Sequence, residues 1–155
     1  MKFIFPIIAA ILIVVIDQIT KFSAFAARSN RNALEVPGVI EHVRHANQGL
    51  IANFPVPLWL IIGITLIVII GCLVLITRET KAANQPVLWA LGILLGGAIG
   101  NFIDRLTLGY VRDWILLFGH SAINLADIAI ALGLLRYSIW AMAKHRNKND
   151  YNLPT

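Results

Sequence analysis

Asp113 and Asp127 are separated by residues 114–126, with a turn signal at Gly109 ahead of the first and an apolar run behind the second. A chain that leaves one helix and returns into the next over this span can bring the two carboxylates face to face. Carboxylates within about 3 Å of each other share one proton, because both cannot stay ionised. The ionised member can take a proton from water, and the protonated member can donate to a scissile carbonyl. That is the apparatus for peptide hydrolysis with no metal, no cofactor and no covalent intermediate. A plainer reading stays open at this level. Asn124 is a candidate helix N-cap with Asp127 at the third helical position, where free N–H groups favour a carboxylate. Asp113 would then be a solvated loop acid.

Only eight Asp and Glu residues occur in the chain, so the remaining acids are informative. Asp17 and Lys21 stand four apart with the acid first, the favoured order for a helical pair, and read as a structural ion pair. Asn101, Asp104 and Arg105 share one helix face. They read as a brace in which Arg105 screens Asp104 against an unfavourable helix C-terminus; a direct role for Asp104 is the alternative. Other chemistries lack their residues. There is no HExxH, and His42 and His45 read as surface residues. No GxSxG is present. GILLGG and GAIG lie inside an apolar run, where glycines serve close helix packing rather than phosphate binding. Cys72 is a lone buried thiol.

These residues must be positioned by elements that cross a membrane. Of the 155 residues 58% are hydrophobic and 14% charged, against roughly 25% charged in soluble domains. Residues 58–76 and 82–103 carry no charge at all. Each run is long enough to cross about 30 Å of hydrocarbon at about 1.5 Å per residue. Residues 3–16 and 128–143 are apolar apart from Arg136. The expectation is a single all-α integral-membrane domain over 1–155, with four transmembrane helices at about 3–27, 58–76, 85–104 and 124–143. Pro86 suits the first turn of the third. The first segment has a rival reading as a cleaved signal peptide, opposed by Asp17 and Lys21. Residues 28–57 form the one long loop, and EVPGVIEHV within it can pair as short strands. The polar tail from Lys144 is expected to fray.

The net charge of +5 lacks a basic stripe with interleaved aromatics, so nucleic acid is not an expected partner, whereas anionic lipid is. Lys and Arg divide evenly between the two faces, but they are densest in the short second loop and the tail. Both termini are therefore expected in the cytoplasm. This topology gathers Asp17, Asp104, Asp113 and Asp127 at the outer face. An ionisable group at membrane depth costs about 2.5–3.5 kcal/mol, so each needs a partner or a task.

The motifs DQxxK (Asp17, Gln18, Lys21), NxG (Asn47, Gly49), GGAIGNFIDR (Gly96 to Arg105), GYVRDW (Gly109 to Trp114) and NLAD (Asn124 to Asp127) resemble, in this order, those of lipoprotein signal peptidase, also called signal peptidase II. The resemblance runs from about Ile16 to Ile130. It implies a bacterial inner-membrane aspartyl endopeptidase that cuts prolipoproteins just before a diacylglyceryl-modified cysteine. It implies that Asp113 and Asp127 are the catalytic pair. Asn47, Gly49, Asn101, Asp104, Arg105 and Asn124 would support the site or bind substrate, and Asp17 with Lys21 would be structural. It also implies that residues 28–57 fold as a small extracytoplasmic sheet and lid. Partners would be the prolipoprotein and membrane lipids, with the protein a monomer. Three positions depart from the family pattern: Leu50 to Phe54 after the NxG, Ala122-Ile123 before Asn124, and Arg112, whose charge would hold Asp113 ionised if it faced it. The alternatives are a catalytically impaired relative that binds precursors and a small proton-coupled transporter relaying through Asp17, Asp104 and Arg136.

Overall fold

The computed structural model describes residues 3–26, 36–49, 54–82 and 84–150, with only the backbone for 81, 82 and 147–150. The chain runs α1 (Ile4–Ala26), β1 (Ile40–Asn47), α2 (Leu58–Ala82), α3 (Gln85–Leu108), β2 (Val111–Leu117), β3 (Ser121–Ile123) and α4 (Leu125–Asp150). All four helices are long and apolar enough to span a membrane. Three of them outrun their apolar segments: α2 continues to Ala82, α3 to Leu108, and α4 through the basic tail to Asp150. Backbone hydrogen bonding does not stop at the first charge. Thr80, for example, folds its hydroxyl back on the Ile76 carbonyl at 2.6 Å. The tail expected to fray is thus helical as far as it is described.

Helix α3 is the axis of the molecule. Its membrane-length window is 67% buried, against 28% for α1 and 17% for each of α2 and α4. The other three helices pack on it, while α2 and α4 scarcely meet one another. Close approach depends on missing side chains. A Cβ on Gly97 would stand 2.5 Å from the Ala126 carbonyl oxygen of α4, and one on Gly100 would stand 2.6 Å from Asp17 Oδ2 of α1. The run GGAIG therefore presents bare backbone to α1 and α4 on different faces.

Pro86 sits in the first turn of α3, and Gly109 ends it in a left-handed conformation (φ 81°), its N–H bonded to the Arg105 carbonyl. That reversal launches β2. An antiparallel sheet of order β1-β2-β3 follows. Two of its three strands come from the α3–α4 connection, not from the first loop alone. Within the first loop the described pairing is a single bridge, Val36 to Ile40. β1 instead finds its partner in β2, aligning Asn47 with Val111 and His45 with Asp113 across an irregularity after His42. Residues 27–35 and 50–53, part of the expected lid and the end of its altered motif, lie outside the described residues.

Replacing Gly97 by Ala is expected to destabilise the protein by about 1–3 kcal/mol through overpacking. Gly63 of α2 faces open space, so Gly63→Ala is expected to be neutral or stabilising by up to about 1 kcal/mol. Thermal unfolding of both variants in detergent micelles checks the contrast.

Candidate active site

Period-two alternation along β2 sends Arg112 and Asp113 to opposite sides of the strand. Asp113 points inward and is fully buried, so it is not a solvated loop acid. Its Oδ1 accepts from the Asn124 side-chain amide at 2.6 Å, and its Oδ2 accepts from the Asn47 amide at 2.9 Å. Arg112 turns away, though not to solvent. Its guanidinium reaches Asp104 at 2.7 Å and the Gln18 amide oxygen at 2.9 Å, and its backbone N–H also donates to Asp104.

Asp127 is placed by the start of α4. The Asp127 N–H donates to Asn124 Oδ1 at 3.0 Å, and the Asn124 N–H donates to Asp127 Oδ2 at 3.2 Å. This reciprocal capping arrangement fixes both side chains at once. The other carboxylate oxygen of Asp127 accepts from the Asn101 amide at 2.7 Å. Asn124 therefore joins the two aspartates, giving its side-chain N–H to one and its backbone N–H to the other.

Each of the three asparagines has its amide orientation set by what binds its oxygen. The Gly49 N–H donates to Asn47 Oδ1 at 3.0 Å. The Asp127 N–H holds Asn124 Oδ1, and Lys21 holds Asn101 Oδ1 at 2.9 Å. With the oxygens occupied, all three NH₂ groups must face carboxylates. Arg105 donates to the Gly49 carbonyl at 3.3 Å and so ties α3 to the end of β1.

Behind this layer lies an ionic one. Lys21 is fully buried, with its ammonium 2.8 Å from Asp17 and 3.4 Å from Asp104. Asp17 also accepts from the Ala126 N–H in the first turn of α4 at 2.9 Å. Arg105 attracts Asp104 as expected, but less than it attracts Asp127 and Asp113. Although Asn101, Asp104 and Arg105 share a helix face, Asp104 leans toward α1 and β2, where Lys21 and Arg112 neutralise it, while Asn101 and Arg105 lean toward the aspartate pair. Gln18, which had no assigned role, bridges Arg112, Asp104 and the Gly100 carbonyl. Its position beside Asp17 on the buried side of α1 was the available signal.

The four clustered acids thus separate by the charge of their partners. Asp17 and Asp104 face cations. The hydrogen bonds to Asp113 and Asp127 come from neutral amide and backbone N–H groups. Burial, reinforced by the like charge of Asp127, pushes the Asp113 carboxyl up to about 6 against the opposing pull of the Asn47 and Asn124 amides. Asp127 is half-buried and lines a cavity of about 520 Å³, whose walls include Ile64 and Val68 of α2, Asn101 and Arg105 of α3 and Ile130 of α4. The walls are mainly apolar, and the cavity occupies the gap between α2 and α4 in front of α3. A transporter relay would need acids spread along the helices. Here Asp17, Asp104 and Asp127 lie in one connected network, and Arg136 has no place in it.

Replacing Lys21 by Met leaves Asp17 and Asp104 short of a cation in a buried setting. Loss of one partner from such a group is expected to cost about 3–5 kcal/mol. Asp17→Asn is expected to lower the melting temperature more than Asp113→Asn or Asp127→Asn does; thermal unfolding in micelles compares the four.

A family model described as signal peptidase (SPase) II matches residues 9–143. The lipoprotein signal peptidase of Moorella thermoacetica is 33% identical over 135 residues, covering 83% of this chain and 87% of the relative. That of Shouchella clausii is 33% identical over 146 residues, covering 91% and 95%. Among solved structures, a bacterial membrane enzyme determined by the in meso method at 2.3 Å superposes with a TM-score of 0.79 at 26% identity, over 92% of this chain and 90% of the other. A second such enzyme, at 1.9 Å, gives 0.72 at 26% identity, over 88% and 91%.

Proposed function

The chain belongs to the signal peptidase II family of aspartic peptidases, and from that premise we propose that it removes the signal peptide from diacylglyceryl-modified prolipoproteins, cutting before the lipidated cysteine with Asp113 and Asp127 as its catalytic pair. The observation that carries the reading is Asn124. One residue hydrogen-bonds both carboxylates, and neither bond brings a positive charge. A carboxyl held by neutral donors can exchange a proton, whereas one locked to a cation stays ionised.

In the proposed reaction the pair holds one proton. Asp127, at the cavity wall, takes a proton from a water molecule as the oxygen attacks the scissile carbonyl carbon. The shared proton passes to the carbonyl oxygen, giving a neutral tetrahedral diol. Collapse breaks the C–N bond, returns a proton to the pair and delivers the other to the leaving amine. Asn47, Asn101 and Asn124 orient the carboxyl groups, and Arg105 holds the Gly49 strand end beside them. The apolar walls suit acyl chains and the signal-peptide segment, and the gap between α2 and α4 allows both to arrive sideways from the bilayer. Holding the modified cysteine at a fixed depth turns peptide recognition partly into lipid positioning. The protein would act as a monomer in the bacterial inner membrane, with both termini cytoplasmic and the aspartates at the outer face. The orientation of Arg112 toward Asp104 supports activity over the impaired-relative reading, because its charge is spent away from the pair.

Asp113→Asn and Asp127→Asn are each expected to reduce cleavage of a lipidated prolipoprotein by at least about 10²–10⁴-fold while the protein remains folded. A gel-shift assay with the purified variants reads this, and full turnover by either would remove the assignment. The singly protonated pair is lost when the second carboxyl ionises. The pH profile of kcat/KM, which reports the free enzyme, is therefore expected to fall on the alkaline side of about 6, the position of Asp113. A bound substrate that displaces water from the cavity disfavours the second charge, so the corresponding limb of kcat is expected at higher pH.

A further inference from the structure

The end of the molecule away from the aspartates carries a second polar site. Glu79 of α2 there meets Lys144 of α4. Glu79 is 7% exposed. Its Oε1 lies 3.6 Å from the Lys144 ammonium, longer than the roughly 2.7–2.9 Å of a charge-assisted hydrogen bond. Its Oε2 is buried and has no hydrogen-bond partner among the described residues. A buried carboxylate oxygen in that condition calls for a donor.

Glu79 borders an open cavity of about 590 Å³ lined also by Arg78, Tyr137, Trp140 and Lys144. Tyr137 and Trp140 stand 5.7 Å apart with their rings tilted by 41°. The Lys144 ammonium sits 4.4 Å over the Trp140 ring, so this aromatic face already attracts an ammonium group. That ammonium comes from a side chain that is 61% exposed, and it does not satisfy Oε2. A second primary ammonium entering beside it would supply the missing N–H. A quaternary ammonium would satisfy the ring and leave the oxygen as it is. Arg78 and Lys144 at the rim supply the positive charge that a phosphate on the same molecule would meet. The depth fits a lipid: Glu79 lies in the last turn of the span Leu58–Thr80, and Lys144 in that of Leu125–Arg146.

We propose that this site binds the phosphoethanolamine head group of a membrane lipid, with the ammonium on Glu79 and the phosphate on Arg78 and Lys144. The inference is independent of the peptidase reading. Native mass spectrometry of the full chain in micelles tests it, using phosphatidylethanolamine, phosphatidylcholine and phosphatidylglycerol with the same acyl chains. Retention of the ethanolamine lipid about tenfold over the choline lipid is expected. Glu79→Gln is expected to bring that ratio to within about twofold of unity. Soluble phosphoethanolamine at millimolar concentration is expected to leave the lipid adduct in place; its displacement of the lipid would overturn the assignment to a lipid. Equal retention of ethanolamine and choline lipids by the unaltered protein, stronger retention of the glycerol lipid, or an ethanolamine preference that survives Glu79→Gln would each overturn the proposal. The head-group series on the unaltered protein decides the matter even if the variant does not fold.

Discussion

A lysine ammonium with no contact to solvent holds the aspartate end of the structure together. Lys21 has three N–H groups and meets Asp17 on its own helix together with Asp104 and Asn101 on α3. Its removal from water is tolerable only because two carboxylates and an amide oxygen replace the lost hydration. Those carboxylates need further support. Arg112 gives Asp104 a second cation, and the first turn of α4 gives Asp17 a backbone N–H. Two cations and two anions therefore close into one neutral cluster that ties α1, α3, β2 and α4 together. The membrane makes this arrangement strict, since an unpaired member could not recover its hydration locally.

The cluster also sets the chemistry of the layer in front of it. By occupying the Asn101 oxygen, Lys21 turns the Asn101 amide nitrogen toward Asp127. Lys21 and Arg112 are paired one layer behind the aspartate pair, while the Arg105 charge attracts both Asp127 and Asp113. The same peptide geometry that puts Arg112 next to Asp113 in sequence puts it on the far side of the strand, which makes the most conspicuous departure from the family pattern part of the support for Asp104.

The two ends of the helix bundle are built differently. At the aspartate end, α2 and α4 leave a cavity between them, walled by side chains compatible with lipid. At the other end, Glu79 and Lys144 bring the same helices into contact. An axis helix with bare glycine backbone on two faces allows this, because α1 and α4 can seat deeply against α3 while α2 packs on α3 through side chains such as Cys72 and Ile76.

Much was determined by sequence alone. Charge-free runs of bilayer length dictate helices, because an isolated span must satisfy its own backbone in hydrocarbon. The cap formed by Asn124 and Asp127, the turn at Gly109 and the pairing of Asp17 with Lys21 are local in the chain and were legible as such. What tertiary structure decided was every pairing across distance. β1 could not be read as the partner of β2, since strand pairing is not encoded in either segment separately. Asn101, Asp104 and Arg105 share a helix face, yet α1 and β2 on one flank and the aspartate pair on the other draw them to different tasks. Asp113 has the same neighbours in sequence whether it is solvated or buried. Only the fold, by setting β2 against Asn47 and Asn124 and turning Arg112 to Asp104 on the other side of the strand, removed it from water and left it among neutral hydrogen-bond donors.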